Sequence, residues 1–257
     1  MQLEGVSRAW SVAALIALIG IVACAREGEE EAEPAVQEPA AEPTGVSADL
    51  STPESVLHDA AADVYLVSNI NGSPLEKDDN GYISRVSPDG EMVAARWIDG
   101  AKPEVTLHAP KGLAIKGDTL FVSDLDSVRA FDRNSGAALG GRGVANATFL
   151  NDLAVGPDGL VYVTDSGLKG GAQGFEPSGS DAIYYFGPRG AVAIAKGSDL
   201  NRPNGIATAP NEVIVVPSGG KEIYRIDKAG KRTTFATLPA GQLDGVVRLE
   251  DGALLVS

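Results

Sequence analysis

The chain has 257 residues, 44% of them hydrophobic, which is enough for one sizeable domain. Its 35 acidic and 21 basic residues give a formal net charge of -14. That balance opposes nucleic-acid binding, because a phosphate backbone rewards a basic surface, but it suits a divalent cation. A single cysteine, Cys24, excludes a disulfide framework within the chain.

In chain order, the first signal is the apolar run Val12 to Cys24, preceded by Arg8 and Trp10. It is shorter than the roughly 20 residues a membrane-spanning helix needs and suits the core of a secretory signal. The segment Ile21-Val22-Ala23-Cys24 resembles a bacterial lipoprotein processing box. Residues 1–24 are therefore expected to be a lipoprotein-type signal peptide, with Cys24 lipidated and first in the mature chain. An ordinary signal or an uncleaved anchor is the alternative, and each of the three exports the folded body. The expected location is a membrane-anchored lipoprotein facing the periplasm or the cell exterior.

Residues 25–50 are dominated by alanine, glutamate and proline and lack aromatics. Such a segment buries too little apolar area to offset its ordering entropy. It is expected to be a disordered tether, extended by its prolines and like charges.

Residues 51–257 change character. Short β-rich runs such as Val64-Tyr65-Leu66-Val67, Leu120-Phe121-Val122, Leu160-Val161-Tyr162-Val163 and Val213-Ile214-Val215-Val216 alternate with turns. The turns include Ser87-Pro88-Asp89-Gly90 and Gly156-Pro157-Asp158-Gly159. These are strand and turn signals, with no convincing helical stretch. Trp97 is read as part of a connector.

One polar position recurs at the start of each unit, in Pro53-Glu54-Ser55, Pro110-Lys111-Gly112, Leu150-Asn151-Asp152, Pro203-Asn204-Gly205 and Leu243-Asp244-Gly245. The steps from Glu54 are 57, 40, 53 and 40 residues. A unit of forty-odd residues with four short strands predicts a propeller blade. The two long steps need insertions, supplied by Asn71 to Asn80 and by the glycine-rich Ser166 to Ser180, which would either rim a binding mouth or be tolerated surface loops. The fold class predicted is all-β, a six-bladed β-propeller with only about four and a half blades present. A five-bladed form is the less favoured alternative. In radial blades the recurring side chains would meet near one axis, where a glutamate, an aspartate and two asparagines make an oxygen-rich metal site.

On these residues the segment from Pro53 to Ser257 resembles the gluconolactonase, senescence marker protein and luciferin-regenerating enzyme family of six-bladed propellers. That resemblance implies a divalent metal on the propeller axis, held by Glu54, Asn151, Asn204 and Asp244. Two features depart from the family pattern. Ser55-Val56 and His58 stand where the family has Gly-Pro and a tryptophan, and Thr148-Phe149-Leu150 replaces its arginine-bearing substrate motif. The resemblance implies a metal-dependent hydrolase that opens a lactone or related ester. The alternative is a non-catalytic, surface-tethered propeller binding a small ligand or a protein.

Two carboxylates and two amide oxygens are hard ligands, suited first to Ca²⁺ and then to Mg²⁺, Mn²⁺ or Zn²⁺. Asp244 and Glu54 are the candidate catalytic carboxylates, with Asp244 the preferred base. Lys111 occupies the equivalent place in the second blade, where it would bind an anionic substrate group or neutralise the carboxylates of a metal-free channel. His108 and Asp165 are further substrate-binding candidates at the mouth, although turn capping is the default for Asp165. Asp152 is a candidate neighbour that orients Asn151. The expected partners are a small-molecule substrate and a lipid anchor, with no nucleic acid, and the protein is expected to be a monomer.

Overall fold

The computed structural model describes residues 49–257. The signal peptide, Cys24 and nearly all of the proposed tether lie outside the described residues. Among the described residues no helix is long and apolar enough to cross a membrane.

Four four-stranded antiparallel sheets follow one another along the chain. The first is β1 (Pro53–Asp59), β2 (Val64–Asn69), β3 (Tyr82–Val86) and β4 (Met92–Asp99). The second is β5 (Pro110–Lys116), β6 (Thr119–Asp124), β7 (Ser127–Asp132) and β8 (Ala138–Gly143). The third is β9 (Leu150–Val155), β10 (Val161–Asp165), β13 (Ala182–Gly187) and β14 (Gly190–Lys196). A separate hairpin, β11 (Leu168–Gly171) and β12 (Gly174–Pro177), is inserted between β10 and β13. The fourth is β15 (Pro203–Ala209), β16 (Glu212–Pro217), β17 (Glu222–Asp227) and β18 (Arg232–Thr237). A fifth, two-stranded sheet holds β19 (Val246–Arg248) and β20 (Leu254–Val256). The described fold is thus all-β, with four and a half propeller blades.

The first strands of successive blades touch in order, β1 to β5, β5 to β9, β9 to β15 and β15 to β19, so they ring one axis. Apolar side chains fill the spaces between blades. Leu66, Ile83 and Ile98 of blade one pack against Leu107, Leu120 and Phe131 of blade two. Tyr162 and Ile183 of blade three pack against Ile206, Val215 and Tyr224 of blade four. Each fully buried aliphatic side chain contributes roughly 1.5–3 kcal/mol relative to exposure. Between the two outermost blades the pattern differs, because Val56, Val247 and Leu255 are 64%, 58% and 59% exposed.

The expected inner and middle strands form, but five elements escaped the sequence patterns. Four are the outer strands β4, β8, β14 and β18, and the fifth is the hairpin. The strand β8 has the sequence Ala-Leu-Gly-Gly-Arg-Gly and is exposed throughout, so it carries neither alternation nor β-propensity. Its pairing with β7 makes it a strand. Trp97 belongs to β4 rather than to a connector. Its ring carries the Arg85 guanidinium at 4.7 Å. Arg225 and Arg232 stack likewise on Phe235 and Tyr224, and the Nε atoms of all three arginines are sealed without a hydrogen bond.

The two insertions leave from the same level, between the second and third strands of blades one and three. They meet, since a Cβ placed on Gly170 would lie 3.5 Å from Leu75 Cδ1. Lys77 also reaches blade two, with its ammonium 2.5 Å from Asp126 Oδ2.

Candidate functional site

In the four complete blades the recurring polar position lies where the inner strand departs from regular pairing. Register slips occur at Pro53/Ser55 in β1, Pro110/Leu113 in β5 and Pro203/Ile206 in β15, and opposite β9 at Val163/Asp165 in β10. A bulge re-aims one side chain without breaking the sheet. Here it falls in blade after blade at the residue nearest the axis.

A second set of residues holds that backbone. Ser123 Oγ donates to the Asn151 carbonyl oxygen of the next blade. Thr164 Oγ1 donates to the Asn204 carbonyl at 2.6 Å and accepts from Asp152 N at 3.0 Å. Each such bond contributes about 1 kcal/mol, and together they fix where the asparagines emerge. Sequence reading did not select these hydroxyls. Their signal was available in the repeat Ser68-Asn69, Ser123-Asp124, Thr164-Asp165 at the ends of the second strands.

Glu54, Asn151, Asn204 and Asp244 all line one cavity of about 480 Å³. The two amides are oriented by their hydrogen bonds. Asn151 Nδ2 donates to Ser166 Oγ at 3.0 Å. Asn204 Nδ2 donates to Asp244 Oδ1 at 2.9 Å and to the Leu243 carbonyl at 3.3 Å. Both NH₂ groups are therefore spent on the protein, and both amide oxygens remain for the cavity. Among the described residues no hydrogen bond reaches those oxygens, the Glu54 carboxyl or Asp244 Oδ2. Two amide oxygens and two carboxylates without protein donors fit a hard divalent cation. No three His, Cys, Asp or Glu side chains cluster as ligands among the described residues. Any cation here would therefore depend on the asparagine oxygens.

Burial shifts the titration of several groups around the cavity. Burial pushes the half-buried Glu54 carboxyl well up, Lys111 opposes the shift, and Asp152 and Asp244 reinforce it. Burial pushes the Asp152 carboxyl up to about 6, against two backbone hydrogen bonds, with Asp244 adding to the rise. Lys111 is 1% exposed, and its amine is pushed down by burial while Glu54 and Asp124 hold it up. The Lys111 ammonium donates to the Ala109 carbonyl at 3.0 Å and sits 4.3 Å from the Phe149 ring centre. It does not line the cavity and, among the described residues, makes no ion pair within 4 Å.

The remaining candidates are engaged by the fold. Asp152 does line the cavity, but its oxygens accept Leu153 N at 2.8 Å and Ile206 N at 2.9 Å. It joins β9 to β15, and Asn151 is oriented by Ser166 instead. The fully buried Asp165 accepts Phe149 N and Gly167 N at 3.0 Å and Thr148 N at 3.3 Å, which makes it a turn cap away from the cavity. Asp124 does the same for His108 N and Ala109 N while pairing with Arg129 Nε at 2.9 Å. His108 Nδ1 accepts Asp79 N at 3.2 Å, tying the blade-one insertion to the start of β5.

No protein-family model matches the chain, and no curated protein matches it in sequence. Solved structures do match in shape. A gluconolactonase from Xanthomonas campestris superposes with a TM-score of 0.56 at 23% identity, over 81% of this chain and 71% of that one. A calcium-binding protein, regucalcin, from Agrobacterium tumefaciens gives 0.51 at 17% identity, over 80% and 66%. A nidogen/laminin complex gives 0.56 at 18% identity, over 76% and 68%. At these identities the likeness is one of fold, and it places the chain among propeller-type proteins that include an enzyme, a calcium binder and a partner in a protein assembly.

Proposed function

We propose that this protein is a metal-dependent hydrolase that opens a lactone or related ester. One observation carries the reading. Both asparagine amides spend their nitrogens on the protein and leave their oxygens beside two carboxylates in a single cavity. Gluconolactonase and regucalcin among the structures of like fold support it.

Glu54, Asn151, Asn204 and Asp244 would hold a divalent cation, Ca²⁺ for preference given four oxygen donors. When bound, such an ion supplies Lewis-acid polarisation of the substrate carbonyl. The chain's own residues do the rest. Asp244 Oδ2 takes a proton from water as the water oxygen bonds to the carbonyl carbon. The ring carbon–oxygen bond then breaks, and the same proton passes from Asp244 to the departing alkoxide. One water is consumed and a hydroxy acid results. The Asn204 amide, donating to Asp244 Oδ1, holds that carboxylate in place for both transfers. Glu54 balances charge and orients the water.

Export and anchoring through Cys24 complete the proposal, with the protein acting as a monomer on a small-molecule substrate. The buried Lys111, whose charge acts on Glu54, favours a second reading, in which its ammonium offsets the Glu54 carboxylate and the propeller binds a ligand without turnover. A panel of lactones assayed with and without Ca²⁺, on the full chain and on Asp244→Ala, separates the two. Calcium-dependent hydrolysis lost in the variant is expected. Ligand binding without turnover in either protein overturns the hydrolase.

A further inference from the structure

Asn151 and Asn204 are not held alike. The Asn204 amide nitrogen donates twice, to Asp244 Oδ1 at 2.9 Å and to the Leu243 carbonyl at 3.3 Å. Both partners are acceptors, so the amide cannot turn over without losing them. Among the described residues the Asn151 side chain makes one hydrogen bond, from Nδ2 to Ser166 Oγ at 3.0 Å. A hydroxyl can donate as well as accept. Ser166 would therefore tolerate either end of the amide, unless its own proton were committed elsewhere.

That proton is committed. Ser166 Oγ donates to the Pro203 carbonyl at 2.7 Å. Pro203 is buried and stands opposite Pro217 in the ladder of β15 and β16, and a proline has no N–H to offer it. Turning the hydroxyl toward Asn151 would leave that carbonyl without its donor, at the desolvation cost of a buried acceptor. Nor can Ser166 shift away, since it is fully buried and its backbone N donates to the Phe149 carbonyl at 2.9 Å. Only the lone pairs of Oγ therefore face Asn151. They accept Nδ2 and repel Oδ1, which turns the amide oxygen toward the cavity that Asn151 lines. The same hydroxyl fixes the carbonyl immediately before Asn204. One side chain, the first residue after β10 and the root of the blade-three insertion, thus bears on two of the four candidate ligands.

We infer that Ser166 is a positioning residue for the cation: it locks Asn151 with Oδ1 toward the site, and without it the amide is free to present its NH₂ group there, which a cation rejects. The inference rests on the ligand set of the hydrolase reading above and deepens it. A carboxylate at position 151 would need no such lock, because it carries oxygen at both ends.

The test uses the full chain and Ca²⁺ alone, titrated by calorimetry. Ser166→Ala should weaken Ca²⁺ binding by about 10–100-fold, the usual loss when a residue that orients a ligand is removed. Asn151→Asp adds a charge in any background, so its effect is compared in two. It should tighten Ca²⁺ binding more in Ser166→Ala than in the unmodified protein, by about the factor that Ser166→Ala lost. Unchanged binding in Ser166→Ala overturns the inference. Equal gains from Asn151→Asp in the two backgrounds also overturn it, and reduce Ser166 to a brace for the Pro203 backbone. Hydrogen exchange of the Asn151 side-chain amide, followed by NMR in the unmodified calcium-free protein, reads the orientation without any variant or metal. Slow exchange puts Nδ2 on Ser166 and supports the lock, whereas exchange as fast as an open amide puts it in the cavity and ends the lock. If the unmodified protein binds no Ca²⁺, the cation reading fails, and the exchange rate alone decides whether Ser166 orients Asn151.

Discussion

Asn204 of β15 and Asp244, two residues before β19, are joined by a 2.9 Å hydrogen bond from the amide nitrogen to Oδ1. The bond sets which atom of each residue faces the cavity. Replacing Asn204 with aspartate would put two carboxylates at that distance and remove the donor. Asn204→Asp should lower stability by about 1–3 kcal/mol in chelator and recover most of it in millimolar Ca²⁺. Thermal melts of both proteins in the two buffers check this, and a variant indifferent to Ca²⁺ would argue against the ligand set.

Ca²⁺ should stabilise the unmodified protein by linkage. At a hundred times its dissociation constant, an ion bound only by the folded state adds about 2.7 kcal/mol. For a domain of this size that corresponds to a rise in Tm of about 5–10 °C. Asp244→Asn, which keeps a hydrogen-bonding group but removes a charge, should lose most of the rise. Differential scanning calorimetry with a calcium titration reads both.

Asp59 ends β1 of blade one, and Arg133 follows β7 of blade two. Arg133 Nε donates to Asp59 Oδ2 at 2.9 Å, and Nη2 donates to Asp59 Oδ1. These bonds hold the Asp59 carboxyl below its ordinary 3.8, with the Ala61 and Ala62 amides assisting. A depressed carboxylate stabilises the fold above its unfolded value and loses that contribution as pH falls through its folded value. The native protein should therefore be most acid-sensitive below about pH 4 at this pair. Asp59→Asn should cost roughly 2–4 kcal/mol at pH 7, and the difference from native should shrink as pH is lowered from 4. Urea unfolding at pH 7, 4 and 3 tests the trend.

Gly112 follows Lys111 where β5 crosses β9. A Cβ there would come within 2.6 Å of Asp152 Cα and 2.7 Å of Leu153 N, both backbone atoms that cannot swing away. Gly112→Ala should destabilise by about 2 kcal/mol or more and separate the two inner strands. Gly143→Ala, whose nearest contact would be Ser127 Oγ at 3.9 Å, serves as the control and should change stability by less than about 1 kcal/mol. Equal effects at both positions would remove close packing of the inner strands as the cause.

Much of this protein was legible without coordinates. Strands such as Val213-Ile214-Val215-Val216 announce themselves because a half-buried strand must alternate or run apolar. The spacing of Glu54, Lys111, Asn151, Asn204 and Asp244 announces radial repetition because each blade repeats one short supersecondary unit. The outer strand β8 was not legible, since Ala138 to Gly143 is held by its pairing with β7 and not by any preference of its own. Sequence by itself determined the repeat, the apolar faces and the residue types that reach the axis. Tertiary structure alone decided which of those residues share a cavity: Lys111 turns onto Phe149 and Ala109, Asp152 and Asp165 are taken up by backbone amides, and two asparagines are left with free oxygens. The physical reason is that the deciding partners lie outside the strand that carries each residue, Ser166 for Asn151, Asp244 for Asn204 and Ile206 for Asp152, and residue type does not reveal which donor a given oxygen will meet.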